Sequence, residues 1–132
     1  MSYQGAAALQ AAIYAALIGY GPLAGVPVFD AIPGGAGTGT YILIGPETAL
    51  DRSDQTGGGA EHQLLISVIS DATGFQSAKS VAAQVSAALE DASLSLTTGR
   101  LVHLFFQKAV AQRLAEGEAR RIDMTFRARV EV

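Results

Sequence analysis

Cysteine is absent from these 132 residues and charge is scarce, at 16% of the chain against 49% hydrophobic residues. Without cysteine there is no disulfide framework, no thiolate metal site and no Cys nucleophile, although the compartment stays open. The hydrophobic excess is mostly alanine. It excludes a disordered chain and suits close packing of helices on a small sheet. The length fits one domain, residues 1–132, with enough core to stand without a disulfide or a metal.

Basic residues are missing from most of the first half. Eight of the nine Lys and Arg lie from Lys79 onward, and the ninth is Arg52. With a net charge of −3 the chain is not a general electrostatic glove for nucleic acid. Charge of either sign is absent from Gly5 to Phe29, about the length of the roughly 20 residues a spanning helix needs. Gly19, Gly21, Pro22 and Pro27 break that run and Gln10 interrupts its apolar character, so no membrane span is expected. Met1 to Gln4 carry no Lys or Arg, so no secretory signal is expected either.

Catalytic signatures are also lacking. No Gly-x-Ser-x-Gly elbow occurs. The Gly35-Ala36-Gly37-Thr38-Gly39 run precedes a strand rather than opening a helix and lacks the Lys-Ser/Thr pair of a phosphate cradle. Asp51, Ser53 and Asp54 resemble a calcium loop only superficially, since the later glycine and glutamate fall out of place. His62 and His103 sit at strand positions without metal-ligand spacing and read as structural or surface imidazoles. Glu47, Asp51, Asp54 and Glu61 supply carboxylates, but their spacing fixes no pair on a rigid element. The expectation is a non-enzyme without metal or cofactor.

What is present is a succession of short elements. Ser2 is a plausible N-cap for a helix to about Ile18, with Leu9, Ile13, Leu17 and Tyr20 on its inner face, ended by Gly19-Tyr20-Gly21-Pro22. Val28-Phe29 reads as a very short strand. Tyr41 to Gly45 reads as an apolar strand closed by Pro46. Glu47 to Glu61 then reads as a long charged loop whose glycines, Gly57 to Gly59, allow mobility. His62 to Ser70 has apolar residues on both faces and is expected at the sheet centre. Phe75 to about Asp91 reads as a second helix with Phe75, Ala78, Val81, Val85 and Leu89 buried.

Two long strands, about Arg100 to Arg113 and Ala119 to Val132, read as an antiparallel hairpin. The last alternates cleanly, with Ile122, Met124, Phe126, Ala128 and Val130 on one face and Asp123, Thr125, Arg127, Arg129 and Glu131 on the other. One sheet face is therefore covered by helices and the other is wet or covered by a partner. Hairpin arms this long exceed the usual strand of about 5 to 6 residues, which favours a partner. The fold class is α+β: an antiparallel, mixed-length sheet of about four strands, two helices on one face, and a long C-terminal hairpin.

The order Tyr41-Ile42-Leu43-Ile44-Gly45, Asp51-Arg52-Ser53-Asp54, Gly57-Gly58-Gly59-Ala60-Glu61-His62, Ser67-Val68-Ile69-Ser70 and Gly74-Phe75-Gln76-Ser77-Ala78-Lys79 resembles the tail-completion family of tailed phages and prophages. It is most similar to the versions found in gene transfer agents of alphaproteobacteria. Tyr3 to Leu17, the segment Val28-Phe29-Asp30-Ala31-Ile32-Pro33 and the basic hairpin share the resemblance, which covers nearly the whole chain.

The resemblance implies a tail terminator. Such a protein forms a ring, usually a hexamer, on the head-proximal end of the tail tube, stops tube growth and meets the head-side connector. DNA passes through the lumen without sequence-specific binding, and assembly into the tail of a virion or phage-like particle takes place in the bacterial cytoplasm. On that reading Glu47, Asp51, Arg52, Ser53, Asp54, Gln55, Thr56, Gly57, Gly58, Gly59 and Glu61 are candidates for contact with the tail tube or a neighbouring subunit. Thr125, Arg127 and Arg129 are candidates for a subunit interface or the lumen. The residues alone leave open a dimeric ligand-binding or regulatory module with the glycine-rich loop as lid and, further off, an enzyme with carboxylates in that loop.

Overall fold

The apolar opening folds as helix α1, Ala6–Gly19. A computed structural model describes residues 3–31, 39–53, 58–71, 75–90, 94–113 and 119–132. The N-cap is Gly5 rather than Ser2, which lies outside those residues. Leu9, Ile13 and Leu17 are buried as the spacing predicts. Tyr20 ends the helix, and a short 3₁₀ turn, Gly21–Leu23, carries the chain to β1, Val28–Phe29. Strands β2, Thr40–Asp51, and β3, Gly59–Ser70, form a first hairpin. Helix α2, Gln76–Leu89, leads to the second, β4, Arg100–Arg113, with β5, Arg120–Glu131.

The five strands lie in the order β1-β2-β3-β5-β4, with β1 parallel to β2 and every other neighbour antiparallel. The α+β class and the C-terminal hairpin agree with the sequence reading. The fifth strand is the two-residue β1, pairing Val28 with Ile42 and Phe29 with Leu43. Strand β3 is central, as its two-sided apolar pattern requires.

Two expectations need correction. Pro46 does not close β2, which runs on to Asp51. Ile44 pairs with Ile66 and Glu47 with Leu64, so Gly45 and Pro46 together face Leu65 in a bulge. Proline lacks a ladder donor, but β1 covers only Ile42 and Leu43, and a bulge on an uncovered edge tolerates the loss. The second correction follows: most of the expected loop from Glu47 to Glu61 is paired strand, and only residues 52–58 lie between β2 and β3.

Both helices pack on one sheet face, over Ile66 and Val68 of β3 and Phe126 and Ala128 of β5. From α2 the core takes Ala78, Ala82, Val85 and Leu89, while Val81, expected inside, is only half-buried. Phe75 is the N-cap, its ring between Lys79 Nζ at 5.7 Å and Arg120 Cζ at 5.4 Å from the centroid. Among the described residues no helix is long and apolar enough to cross a membrane.

Gly99 sets the entry of β4 beside the end of β5. Its φ is +81°, and a Cβ there would lie 2.7 Å from the Glu131 carbonyl oxygen and 2.8 Å from Val132 Cγ1. A side chain meets both a left-handed backbone and an occupied space. Gly99→Ala is therefore expected to lower stability by about 2–4 kcal/mol, read from the urea midpoint.

Candidate assembly surfaces

The turn between β2 and β3 is built by its own side chains. Asp51 Oδ1 accepts from the Ser53 amide at 3.1 Å and from Ser53 Oγ at 2.6 Å. Ser53 Oγ in turn accepts from the Gly59 amide at 3.2 Å, and the Arg52 amide donates to the Gly59 carbonyl at 2.8 Å. Such Asx-type bonding fixes a turn locally. The turn is also tied to β5: Arg129 Nη2 donates to the Arg52 carbonyl at 3.1 Å, and the Val132 amide to the Gly58 carbonyl at 3.2 Å. A Cβ on Gly59 would come within 2.9 Å of Arg129 Nη2, so glycine there lets the guanidinium reach across.

Of the sequence candidates in this stretch, Asp51, Arg52 and Ser53 are exposed at the turn, with Gly58 and Gly59 at its return. Asp54, Gln55, Thr56 and Gly57 lie outside the described residues. Glu61 and Glu47 have gone to opposite faces of the sheet. Glu61 reaches Arg127 at 3.6 Å on the open face, while Glu47 turns to the helix side.

The open face carries a ladder of ion pairs. Arg121 Nε donates to Asp123 Oδ1 at 2.7 Å, and Ser67 Oγ donates to the same oxygen at 2.6 Å. Arg129 meets Glu131 at 3.4 Å and Arg100 meets it at 2.7 Å. Arg127 also lies over the Phe105 ring, 6.0 Å from its centroid. Thr125 stands mid-ladder between its register partners Leu65 and Lys108. Each pair on such a surface contributes little alone, but together they match every arginine of this face with a carboxylate. Among the described residues no group of three or more His, Asp or Glu could hold a metal ion.

A profile of the family described as tail completion protein gp17 matches residues 7–131. The chain belongs to that family. A solved chain from "Virion of native gene transfer agent (GTA) particle" is 51% identical, superposes with a TM-score of 0.91, and the match covers 99% of this chain and 100% of that one. No curated protein matches. The tail completion protein is thus a structural component of a virion tail.

Sequence reasoning about this tail completion protein missed one constellation. His62 is fully buried on the helix side of β3, between register partners Ala49 and Ala128, whose small side chains leave room for the imidazole. Its Nδ1 lies 3.0 Å from Glu47 Oε2, and the Tyr3 hydroxyl donates to Glu47 Oε1 at 2.7 Å. His62 Nε2 is a buried atom without a hydrogen-bond partner. Glu47 therefore fastens the segment before α1 to the first hairpin. Its only sequence signal is an acid two residues before a histidine's cross-strand partner, which requires the register of the β2–β3 hairpin.

Tyr3 reports on this contact. Its hydrogen bond to Glu47, then the negative charge there, pushes the phenol above its ordinary range. A raised folded value means that the contribution to stability is intact below about pH 10 and is lost as pH climbs through the higher folded value. The urea midpoint of the wild type is expected to fall more steeply between about pH 9 and about pH 11 than that of Tyr3→Phe. Equal slopes would show that the contact does not hold in solution.

Proposed function

We propose that this protein is a tail terminator: a ring of identical subunits on the head-proximal end of a tail tube, stopping its growth and offering a surface to the head-side connector. The particle is of the gene transfer agent kind, put together in the bacterial cytoplasm. The observation that carries the reading is the end-to-end match, at 51% identity, with a chain of a gene transfer agent virion. The family match speaks against a ligand-binding module.

Within that reading the turn between β2 and β3 is the docking arm, with Arg52 and Asp54 as its charged contacts to the tube or a neighbour. Asp51 and Ser53 set its shape and Arg129 braces it. The open sheet face lines the lumen or a subunit interface. Its paired arginines suit a passage, because a duplex sliding through releases few counterions to fixed cations and is not gripped.

The arm is tested by removing Asp54 to Gly57 while keeping Gly58 and Gly59, whose bonds belong to the sheet. The subunit is expected to fold, with an unchanged thermal midpoint, and electron microscopy of the particles is expected to show tails of irregular length without heads. Normal, head-bearing tails would sink the assignment of the arm. Arg52→Glu is expected to act in the same direction, since Arg52 is exposed and its removal leaves no buried carboxylate behind.

A further inference from the structure

Helix α1 has no charged residue, yet one of its faces is bare. Ala7, Ala11, Tyr14 and Ile18 recur at spacings of four, three and four, opposite the stripe that enters the core, and all four are exposed. Tyr14 is 43% and Ile18 53% accessible. Apart from Gln10 at the stripe's margin the helix is apolar all round, and such a helix is normally buried all round. Beside this stripe, between α1 and β1, runs an open groove of about 570 Å³ floored by Val28, Phe29 and Ile44 and bordered by Asp30. Asp30 is exposed, with Gln10 Nε2 at 3.5 Å and no cation partner among the described residues.

The other edge of the sheet has complementary features. Strand β4 pairs only with β5 among the described strands, so its outer backbone groups are open. Phe106, Ala109 and Ala111, which share its helix-side face, are exposed, Phe106 at 36%. Lys108 and Arg113 are exposed and form no ion pair with a described residue. The charge left over at the two edges is opposite: Asp30 beside α1 and β1, and Lys108 and Arg113 on β4, whereas Glu47 and Arg100 are engaged within the fold.

We infer that the occupant of the α1–β1 face is the β4 edge of a second copy of this chain, with Phe106, Ala109 and Ala111 against Tyr14 and Ile18, and Lys108, on the strand's other face, reaching around the edge to Asp30. Two different surfaces at opposite ends of one sheet make a heterologous contact, which propagates head to tail until it closes. The inference rests on the proposed ring and names the faces that join it.

Ile18→Glu and Ala109→Glu test it, both at exposed positions, with thermal melts to confirm folding. The wild type is expected to form a closed oligomer by analytical ultracentrifugation over a concentration series. Each variant alone is expected to stay monomeric, associating about 100-fold or more weakly because a charge is buried unpaired. An equimolar mixture is expected to give one-to-one dimers and nothing larger, since each variant keeps the face the other has lost. Variants that still close rings overturn the named faces and leave the ring standing. So does a single variant that stops at a dimer, or a mixture that stays monomeric. A wild type that remains monomeric throughout, or settles as a fixed dimer, removes the ring reading together with the inference.

Discussion

The pairing of β3 with β5 is the constraint on which the remaining structure depends. Each belongs to a different hairpin, and their register runs unbroken from Gly59 against Glu131 to Ser70 against Arg120. That ladder welds two local hairpins into one sheet. It also fixes which side chains share a face, because a slip of one residue would send Phe126 and Ile66 to the open side and Arg127 and Glu61 into the core. Such a slip would bury charges without partners, at several kcal/mol each. The alternation along β5 therefore specifies the register as well as the layering.

One end of the same ladder holds the turn between β2 and β3. Arg129 and Val132, from the last strand, bond to Arg52 and Gly58, and Gly99 brings β4 in alongside. A turn braced this way can present Arg52 outward without a core of its own. A few residues along the hairpin, beside its uncovered edge, Glu47 ties it to Tyr3 through the pocket of His62. The first hairpin is thus held by backbone pairing at its centre and by a few polar contacts at its margins. Such margins are the parts of a fold that open at the lowest free energy.

Much of this was legible in the residues. Period-two alternation wrote β5 and the central β3, and three-four spacing wrote both helices, since burial of one face imposes those periods directly. Where the reading failed, the cause was a local signal overruled by a long-range one. Pro46 and the charges after it read as the start of a loop, but cross-strand pairing with β3 and a bulge on an uncovered edge carry the strand past them. Glu47 consequently appeared among candidates for an outside partner, while its carboxylate is engaged by His62 and Tyr3 within the fold. No one-dimensional pattern reveals that pairing, because the two residues meet only once the hairpin has set Ala49 against His62. The bare stripe on α1 was in plain view within an uncharged run, but an apolar helix reads as core until the neighbours it lacks are known.

The strand register also bears on what a terminator subunit has to do. Gly59, Glu131 and Arg100 stand together at one end of the sheet, and Ser70, Arg120 and Arg113 at the other. The two hairpins therefore turn at opposite ends of the strands. A ring member on the proposed reading needs two lateral surfaces for its neighbours and two axial ones, for the tube and for the connector. If the laterals are the sheet's edges, the strands run broadly along the tail, and the turns of β2–β3 and β4–β5 become the axial contacts, one on each rim. The open face, with its matched arginines and carboxylates, and the helical face are then the radial surfaces. A single sheet, antiparallel but for β1, with helices on one side thus has a distinct side for each contact the proposed assembly requires, and none of them disturbs the β3–β5 ladder.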